Sequence, residues 1–323
     1  MTGLWRHGII FIKKIEILGD IFMKTRENIE IIKQALSILK KGYAFQKSTV
    51  YLQSSFFEGV SDEDYFKIDY RLVTIRQDFT KILAIMNCID RTYSAYQLNE
   101  YTPSYTSSVD DQATNELGCF IEYLFAKYRV ILEYIEQILK ICIRPRLNDI
   151  QREKYTTIKK EHEKYNFLLK YIAENIGKTS SVLNMEWFQN IRIERNDIIH
   201  NGATCLVVGD KENLLFKVVM PDELDKEKSE LNIFFSNENG LIYYVRYWGL
   251  HISKLIVFVE TVFEFLISIS KIPDNKKHMS NLYYSQGRNK FVDNNGRELK
   301  DIQDVLEEML KTLIDDINMR YLS

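Results

Sequence analysis

The sequence predicts an all-α protein, a helical bundle that carries one small antiparallel β insert. Apolar residues recur every three or four positions over most of the 323 residues, which is the spacing of a buried helix face. The period changes after residue 203, where short runs rich in β-branched and aromatic residues predict strands. With 46% hydrophobic residues and only four prolines, the chain can bury a large core and should fold over most of its length.

Residues 1–22 are expected to form an N-terminal extension. Their apolar stretch is interrupted by four charged residues, and no small-residue cleavage site follows, so it does not resemble a secretion signal. Met23 offers an alternative start of the protein. The helical bundle is then expected over residues 23–203.

Four apolar stripes predict the first helices of this bundle. The first runs from Ile29 to Leu39 and ends before Gly42, a residue typical of helix ends. Ser61 and Asp64 have the spacing of a capping box, which predicts the start of a long second helix. The three longer stripes cover residues 68–93, 117–142 and 155–176. His162 lies on the last stripe, where a packing role is expected rather than a catalytic one.

The β insert is expected over residues 204–240, as a hairpin or a three-stranded sheet. Its candidate strands are residues 205–208, 214–220 and 231–235. A central bundle helix is expected over residues 241–272, followed over residues 273–323 by a polar loop and a C-terminal amphipathic helix. The central helix is apolar, but three charged residues interrupt it, so it predicts a buried helix and no membrane contact.

Composition narrows the functional classes. A net charge of −2 excludes a chain that holds nucleic acid by bulk charge, although it permits a local basic groove. The four cysteines form no CxxC pair, so no metal, cofactor or disulfide framework is expected, and a reducing cytoplasm is the expected location. The motifs of nucleotide hydrolysis, dinucleotide binding, zinc proteolysis and serine hydrolysis are all absent from the sequence.

One segment places a strong cation close to a titratable imidazole in a helical context. Arg195, Asn196 and His200 lie near the end of a helix expected over about residues 184–201. A guanidinium group is permanently charged and binds phosphate through two hydrogen bonds, and an imidazole can move a proton near neutral pH. Metal-independent cleavage of a phosphodiester needs these two groups.

Helix geometry sets a constraint on this pair. Asn196 and His200 share a face with Arg192 upstream, but Arg195 lies about 140° around the helix from His200. The two side chains of one chain are therefore not expected to point at each other. A shared site is easier to build when two copies of the helix face each other across a two-fold axis, which predicts a homodimer.

The residues Arg195 to Asn201, in a helical chain, resemble the motif of the HEPN superfamily. The resemblance implies a HEPN-like helical bundle and a metal-independent endoribonuclease that works as a dimer in toxin, abortive-infection or antiphage systems. Its substrate would be tRNA or mRNA, and an antitoxin or sensor protein is a further expected partner. It assigns catalytic roles to Arg195, Asn196 and His200, and Arg192 is expected to extend the RNA-binding groove. Gly202 departs from the subgroup that has Tyr at this position and is silenced by a nucleotidyltransferase.

A second arginine and histidine have the same spacing at Arg246 and His251. Trp248 and Leu250 lie between them, a context that favours a buried packing site over a phosphate cleft. Two alternatives to catalysis stay open. The chain could be a non-catalytic HEPN-like module that binds RNA, a nucleotide or a protein partner, or a structural helical protein of a larger assembly.

Overall fold

The computed structural model describes most of the chain, and 78% of the described residues are helical. The described residues are 25–95, 112–177, 181–184, 186–209, 213–219, 235–237, 240–273, 291–292, 298–299 and 301–322. The predicted all-α class is confirmed, and the predicted N-terminal extension, residues 1–22, lies outside this part of the chain. None of the described helices has the length and apolar character that crossing a bilayer requires.

Helices form the bundle, and their bounds follow the apolar stripes closely. The α-helices of the described residues are α1 (residues 25–40), α2 (Gln46–Gln53), α3 (Asp62–Ala95), α4 (Gln112–Ile143), α5 (Asp149–Thr157), α6 (Glu161–Ile176), α7 (Gln189–His200), α8 (Tyr244–Ile269) and α9 (Ile302–Ile317). Short 3₁₀ segments at Arg144–Arg146 and Glu186–Phe188 join neighbouring helices, and a π-helical turn at Asn318–Leu322 extends α9.

The long helices α3 and α4 pack side by side and run antiparallel. Arg71 Nε of α3 donates to Gln137 Oε1 of α4, and Asp78, only 2% exposed, contacts Lys127 Nζ at 3.1 Å. Lys81 approaches the same carboxylate at 2.8 Å. Two ammonium groups thus compensate a buried charge that would otherwise be strongly destabilising.

Helix α8 is the central helix that its apolar sequence predicts. Its residues are buried on nearly every side, and Trp248 is fully buried. Gly249 allows α9 to approach closely, because a Cβ atom there would lie 2.7 Å from Leu313 Cδ2. Tyr128 of α4 donates a hydrogen bond to the carbonyl of His251 at 2.8 Å, so α4, α8 and α9 share one core.

The stripe over residues 155–176 does not form one helix, as the sequence predicts, but two. Helix α5 ends at Thr157, and Ile158 has an extended backbone. The hydroxyl groups of Thr156 and Thr157 donate to the carbonyls of Glu153 and Lys154 at 2.7 Å. Such bonds compete with helix continuation, and β-branched side chains add to the break.

The predicted β hairpin is confirmed, and a third strand lies elsewhere than expected. Strands β1 (Thr204–Gly209) and β2 (Leu214–Val219) pair antiparallel, and β3 (Ile242–Tyr243) pairs with β2. The third strand therefore lies beyond residue 240, whereas residues 231–234 of the expected strand lie outside the described residues.

A second small ladder lies in the segment expected to be a polar loop. It joins β4 (Phe291–Val292) to β5 (Glu298–Leu299). Helix α9 begins at Ile302, after this ladder. A reciprocal cap sets this start, because the Asp301 side chain accepts from Gln303 N–H and Asp304 accepts from Asp301 N–H.

The sheet lies directly against α4. A Cβ atom at Gly118 would lie 2.8 Å from the carbonyl oxygen of Cys205, so only glycine permits this approach. Glu122 Oε1 accepts a hydrogen bond from Cys205 N–H at 2.9 Å. Because β1 follows α7 after three residues, these contacts with α4 also fix the C-terminal end of α7.

Candidate functional site

Helix α7 carries the three predicted catalytic residues and is anchored at its N-terminal end. Phe188 and Ile191 are fully buried, and Trp187 Nε1 donates to the Val182 carbonyl at 3.0 Å. Apolar burial on one side of the helix determines which residues face outward. Asn196 and His200 lie on the exposed side.

The C-terminal end of α7 is defined by backbone hydrogen bonds. The N–H groups of Asn201 and Ala203 both donate to the Asp197 carbonyl, at 3.0 and 3.1 Å. Gly202 between them has a φ of 72°, a backbone conformation that favours glycine. The turn therefore makes His200 the last residue of the helix, at the exposed end of α7.

Arg195 contacts both of the other predicted catalytic residues. Its Nη1 lies 3.4 Å from His200 Nε2 and donates to Asn196 Oδ1 at 3.1 Å. The structure thus brings the three side chains together within one chain. A cation, a proton-transfer group and a polar amide converge on one exposed surface.

The expectation that Arg195 and His200 of one chain would not point at each other is wrong. Five residues of helix rise about 7.5 Å, and the long arginine side chain lies along the helix surface across this distance. The angle of about 140° describes the Cα–Cβ directions and not the positions of the guanidinium nitrogens. The angle therefore no longer supports the prediction of a homodimer.

The contact between Arg195 and His200 has a consequence for the imidazole. A guanidinium group is always a donor, so Nε2 can accept from it only through its lone pair. A hydrogen bond at this 3.4 Å contact therefore requires a proton on Nδ1 and a free lone pair on Nε2. Only a ring nitrogen with a free lone pair can act as a base.

Arg195 pairs with no carboxylate among the described residues. In the described part of the chain it forms no ion pair, and its Nε atom is buried without a hydrogen-bond acceptor. A buried donor without a partner is unfavourable and calls for an explanation. A phosphate oxygen would supply an acceptor once the side chain turns away from the helix.

The remaining surface of α7 is partly apolar. Ile193 and Ile199 are 52% and 49% exposed, and they flank the surface that contains Asn196 and His200. Arg192 is half-buried one turn before Asn196, and no described hydrogen bond joins it to Arg195 or His200.

The second arginine and histidine lie in the core, which confirms the packing interpretation. Arg246 Nε contacts Asp316 Oδ2 at 3.0 Å, and its guanidinium lies over the Tyr243 ring. His251 is 5% exposed. Burial holds its pKa well below 6.5, and the nearby charge of Lys254 acts in the same direction. The ring is therefore neutral and inaccessible to a substrate.

One contact of the site has no signal in the sequence. Tyr247 of α8 donates from its hydroxyl to Glu194 Oε2 of α7 at 2.7 Å. The two residues are 53 positions apart, so no local pattern predicts that they meet. His162, the other histidine considered in the sequence, is half-buried on α6.

Comparisons with known proteins provide no relative for this arrangement. Neither a scan of protein-family models, nor a search of curated proteins, nor a search of solved structures found a match. Over the described residues, no cluster of three or more His, Cys, Asp or Glu side chains could hold a metal ion. The resemblance to the HEPN superfamily therefore rests on residues 195–201 and on the helical character of the chain.

Proposed function

We propose that this protein is a metal-independent endoribonuclease of the toxin, abortive-infection or antiphage type. The observation that supports the proposal most is the 3.4 Å contact between Arg195 Nη1 and His200 Nε2 at an exposed helix end. The contact places a permanent positive charge and an imidazole nitrogen within reach of one bound phosphate. These are the groups that cleavage of RNA without a metal ion needs.

In the proposed reaction His200 Nε2 removes the proton from a ribose 2′-hydroxyl. The 2′-oxygen attacks the adjacent phosphorus, and the bond from phosphorus to the 5′-oxygen breaks. The leaving oxygen takes a proton from the imidazolium, or from a second His200 across a dimer interface. The products are a 2′,3′-cyclic phosphate and a 5′-hydroxyl.

The other motif residues support this step. Arg195 holds the scissile phosphate and stabilises the added negative charge of the transition state. Asn196 keeps the guanidinium in place through its Oδ1 atom, and Arg192 contacts the RNA backbone on the approach to the site. The substrate class is tRNA or mRNA.

We further propose that two chains form a homodimer through the exposed surface of α7. Ile193 and Ile199 supply apolar area beside the polar site, and a second copy of the helix would cover both. A two-fold axis would then bring two Arg195 and His200 pairs to one groove. An antitoxin or sensor protein could bind the same surface and block it.

The chemistry is tested with the purified chain and RNA in excess EDTA. Cleavage should persist and yield 2′,3′-cyclic phosphate ends, and it should fall in acid because a protonated imidazole cannot act as base. Arg195→Ala should abolish cleavage and leave helicity unchanged. Strict dependence on a divalent ion, or hydrolysis products without cyclic phosphate, would overturn the proposal. Binding of RNA without cleavage would favour the alternative of a non-catalytic module.

The composite site is tested by mixing two inactive variants, Arg195→Ala and His200→Ala. When the arginine of one chain acts with the histidine of the other, mixed dimers contain one intact site and activity returns. When each chain uses its own pair, the mixture stays inactive. Loss of the dimer in Ile193→Asp would connect the interface to α7.

A further inference from the structure

We propose that the outer surface of α1 and the turn that leads to α2 bind the RNA backbone at a distance from the cleavage site. The proposal rests on the proposed function, because it takes the RNA substrate as the ligand. Residues 31–57 contain four lysines and neither aspartate nor glutamate, although acidic residues outnumber basic ones in the whole chain, 45 to 43. A chain without excess positive charge needs such a local concentration to hold a polyanion.

Three of these lysines lie on one side of α1 and line a shallow groove. Lys33, Lys40 and Lys41 are exposed. Together with Leu36 and Ser37 they surround a space of about 460 Å³. Positions three and four residues apart share a helix face, and the rise of the helix separates Lys33 from Lys40 by about 10 Å. One strand of nucleic acid presents about three phosphates over this length.

The fourth lysine extends this surface across the turn after α1. A Cβ atom at Gly42 would lie 3.5 Å from Lys47 Cε, so the Lys47 side chain lies over the residue that follows Lys41. Lys33 Nζ contacts Glu30 Oε1 at 2.9 Å, an exposed ion pair that stabilises little and can exchange for a phosphate. We call these four residues the lysine surface: Lys33, Lys40, Lys41 and Lys47.

The lysines are not needed to bond the last carbonyl groups of α1. Lysines near a helix C-terminus often have that role. Here Gln303 Nε2 donates to the carbonyls of Leu39 and Gly42, at 3.2 and 3.1 Å. Lys40 and Lys41 form no ion pair in the described part of the chain. Their two ammonium groups are therefore available to an anion.

The character of the lysine surface favours a nucleic-acid backbone over a membrane. A helix that lies on a bilayer inserts large apolar side chains, and among the described residues no such side chain is exposed on α1 or α2. Leu36, the apolar residue that lines the groove, is 7% exposed. Ammonium groups beside the hydroxyl of Ser37 are suited to phosphate oxygens.

The lysine surface and the cleavage site lie at different levels of α8. Helix α2 is joined to α8 at Glu260, whose carboxylate accepts from Phe45 N–H and from the Ser48 hydroxyl. Tyr247, which contacts α7, lies 13 residues earlier in α8, and this separation is about 20 Å along the helix. An RNA must therefore extend over several nucleotides to contact both places. The lysine surface should increase affinity for long RNAs above all.

The test measures RNA binding by the full chain in a His200→Ala background, which prevents cleavage. Fluorescence anisotropy of a labelled single-stranded RNA of about 20 nucleotides, a length that exceeds common single-strand sites, gives the affinity over a series of salt concentrations. The test variant is Lys40→Gln/Lys41→Gln. The matched control is Lys159→Gln/Lys160→Gln, because these lysines are also adjacent and exposed, and the change in net charge is the same.

The dependence of affinity on salt counts the phosphate contacts. Lys40→Gln/Lys41→Gln should lower the slope of log affinity against log salt by about 1.4, because each contact to a single strand contributes about 0.7. Affinity at about 0.1 M salt should fall by about 25-fold, the difference that this slope produces relative to 1 M salt. The control should keep the wild-type slope and affinity. An equal loss in both double variants, or an unchanged slope in Lys40→Gln/Lys41→Gln, would overturn the proposal.

Cleavage and vesicle binding separate the remaining outcomes. In the active chain, Lys40→Gln/Lys41→Gln should lower kcat/KM more for the long RNA than for a trinucleotide, which has one phosphate besides the scissile one. Wild type that binds RNA through the lysine surface without cleaving it would refute the proposed function and leave this inference standing. Cleavage of long RNA that is equal in wild type and variant would refute the inference alone. Tighter lysine-dependent binding to phosphatidylserine vesicles than to RNA would assign the surface to a membrane and also overturn it.

Discussion

Residues 195–200 and residues 246–251 share an arginine and a histidine five positions apart, and the fold gives the two segments opposite surroundings. His200 ends an amphipathic helix and is exposed, whereas His251 lies within the first third of α8 and is 5% exposed. The exposure differs most at the residue just before each histidine. Ile199 is 49% exposed, and the corresponding Leu250 is 1% exposed.

The comparison shows that spacing alone does not make a site. In the second segment Arg246 is paired with Asp316 and the imidazole has lost contact with water. In the first, the arginine contacts the imidazole itself. What distinguishes the segments is the apolar character of the residues between arginine and histidine, because this determines whether the helix turn is buried.

The largest expected effect is that one histidine is needed for activity and the other for stability. His200→Ala should lower RNA cleavage by about 10²- to 10⁴-fold, the contribution of a general base, and leave the unfolding midpoint nearly unchanged. His251→Ala should keep its activity per folded molecule and lower stability, because it leaves a gap among aromatic rings. Rate assays and urea unfolding of both variants measure this. An active His200→Ala together with an inactive, folded His251→Ala would show that the second segment is the catalytic one.

The next largest effect is a difference in stability between variants of the residues just before each histidine. Leu250→Ala should lower the free energy of unfolding by about 2–5 kcal/mol, the range for a buried leucine. In the monomer, at low protein concentration, Ile199→Ala should change it by less than about 0.5 kcal/mol, because half of that side chain is already exposed. Urea unfolding over a range of protein concentrations gives both values. A loss in Ile199→Ala that is large at high concentration and disappears on dilution would support the proposed dimer, in which a second chain covers this residue. A loss above this value that persists on dilution would contradict the prediction.

Much of this contrast is predictable from sequence, and the examples show why. The sequence of α8 predicts burial of His251 because apolar residues lie on nearly every face of the helix. Ser61 predicts the start of α3, and its Oγ accepts from Asp64 N–H at 3.2 Å. Both are local patterns, and local patterns are what a sequence displays directly.

Features that depend on side-chain torsions or on distant contacts are not predictable in this way. The angle of about 140° around the helix predicts that the Arg195 and His200 side chains lie apart, but the long arginine side chain reaches the imidazole. The short strand β3 pairs with β2 although more than 20 residues of chain separate them. A strand of two residues is too short to show the alternation of apolar and polar residues that predicts strands. Tyr247 and Glu194 likewise meet only because α7 packs beside the core.

A third prediction uses the neutral state of His251. Because burial keeps its pKa well below 6.5, the folded protein does not bind the proton that the unfolded chain binds below that pH. The free energy of unfolding should therefore decrease by about 1.4 kcal/mol for each pH unit below 6.5, until the pKa of the folded state is reached. Above pH 6.5 this residue should not make the free energy of unfolding depend on pH.

The matched variant is His251→Gln, which removes the titration and keeps a polar side chain. Subtracting its unfolding curve from that of the wild type cancels other groups such as Glu260, whose pKa burial raises. A difference that stays constant from pH 7.5 to pH 5 would mean that water reaches the His251 ring. The two segments would then be more alike than the structure indicates.

The smallest expected effect concerns the two arginines. Arg246→Gln should lower the free energy of unfolding by about 1 kcal/mol, because the partly exposed Asp316 loses its buried partner Arg246 and keeps Arg320. Arg195→Gln should leave the free energy of unfolding within about 0.5 kcal/mol of wild type, since Arg195 forms no ion pair in the described structure and its Nε lacks an acceptor. Urea unfolding at low and high salt measures both, and only the Arg246 effect should decrease with salt. A salt-sensitive loss in Arg195→Gln would mean that a carboxylate already neutralises this arginine in solution. That outcome would remove the feature that makes the first segment suited to phosphate, because a phosphate-binding arginine should have no carboxylate partner before its ligand arrives.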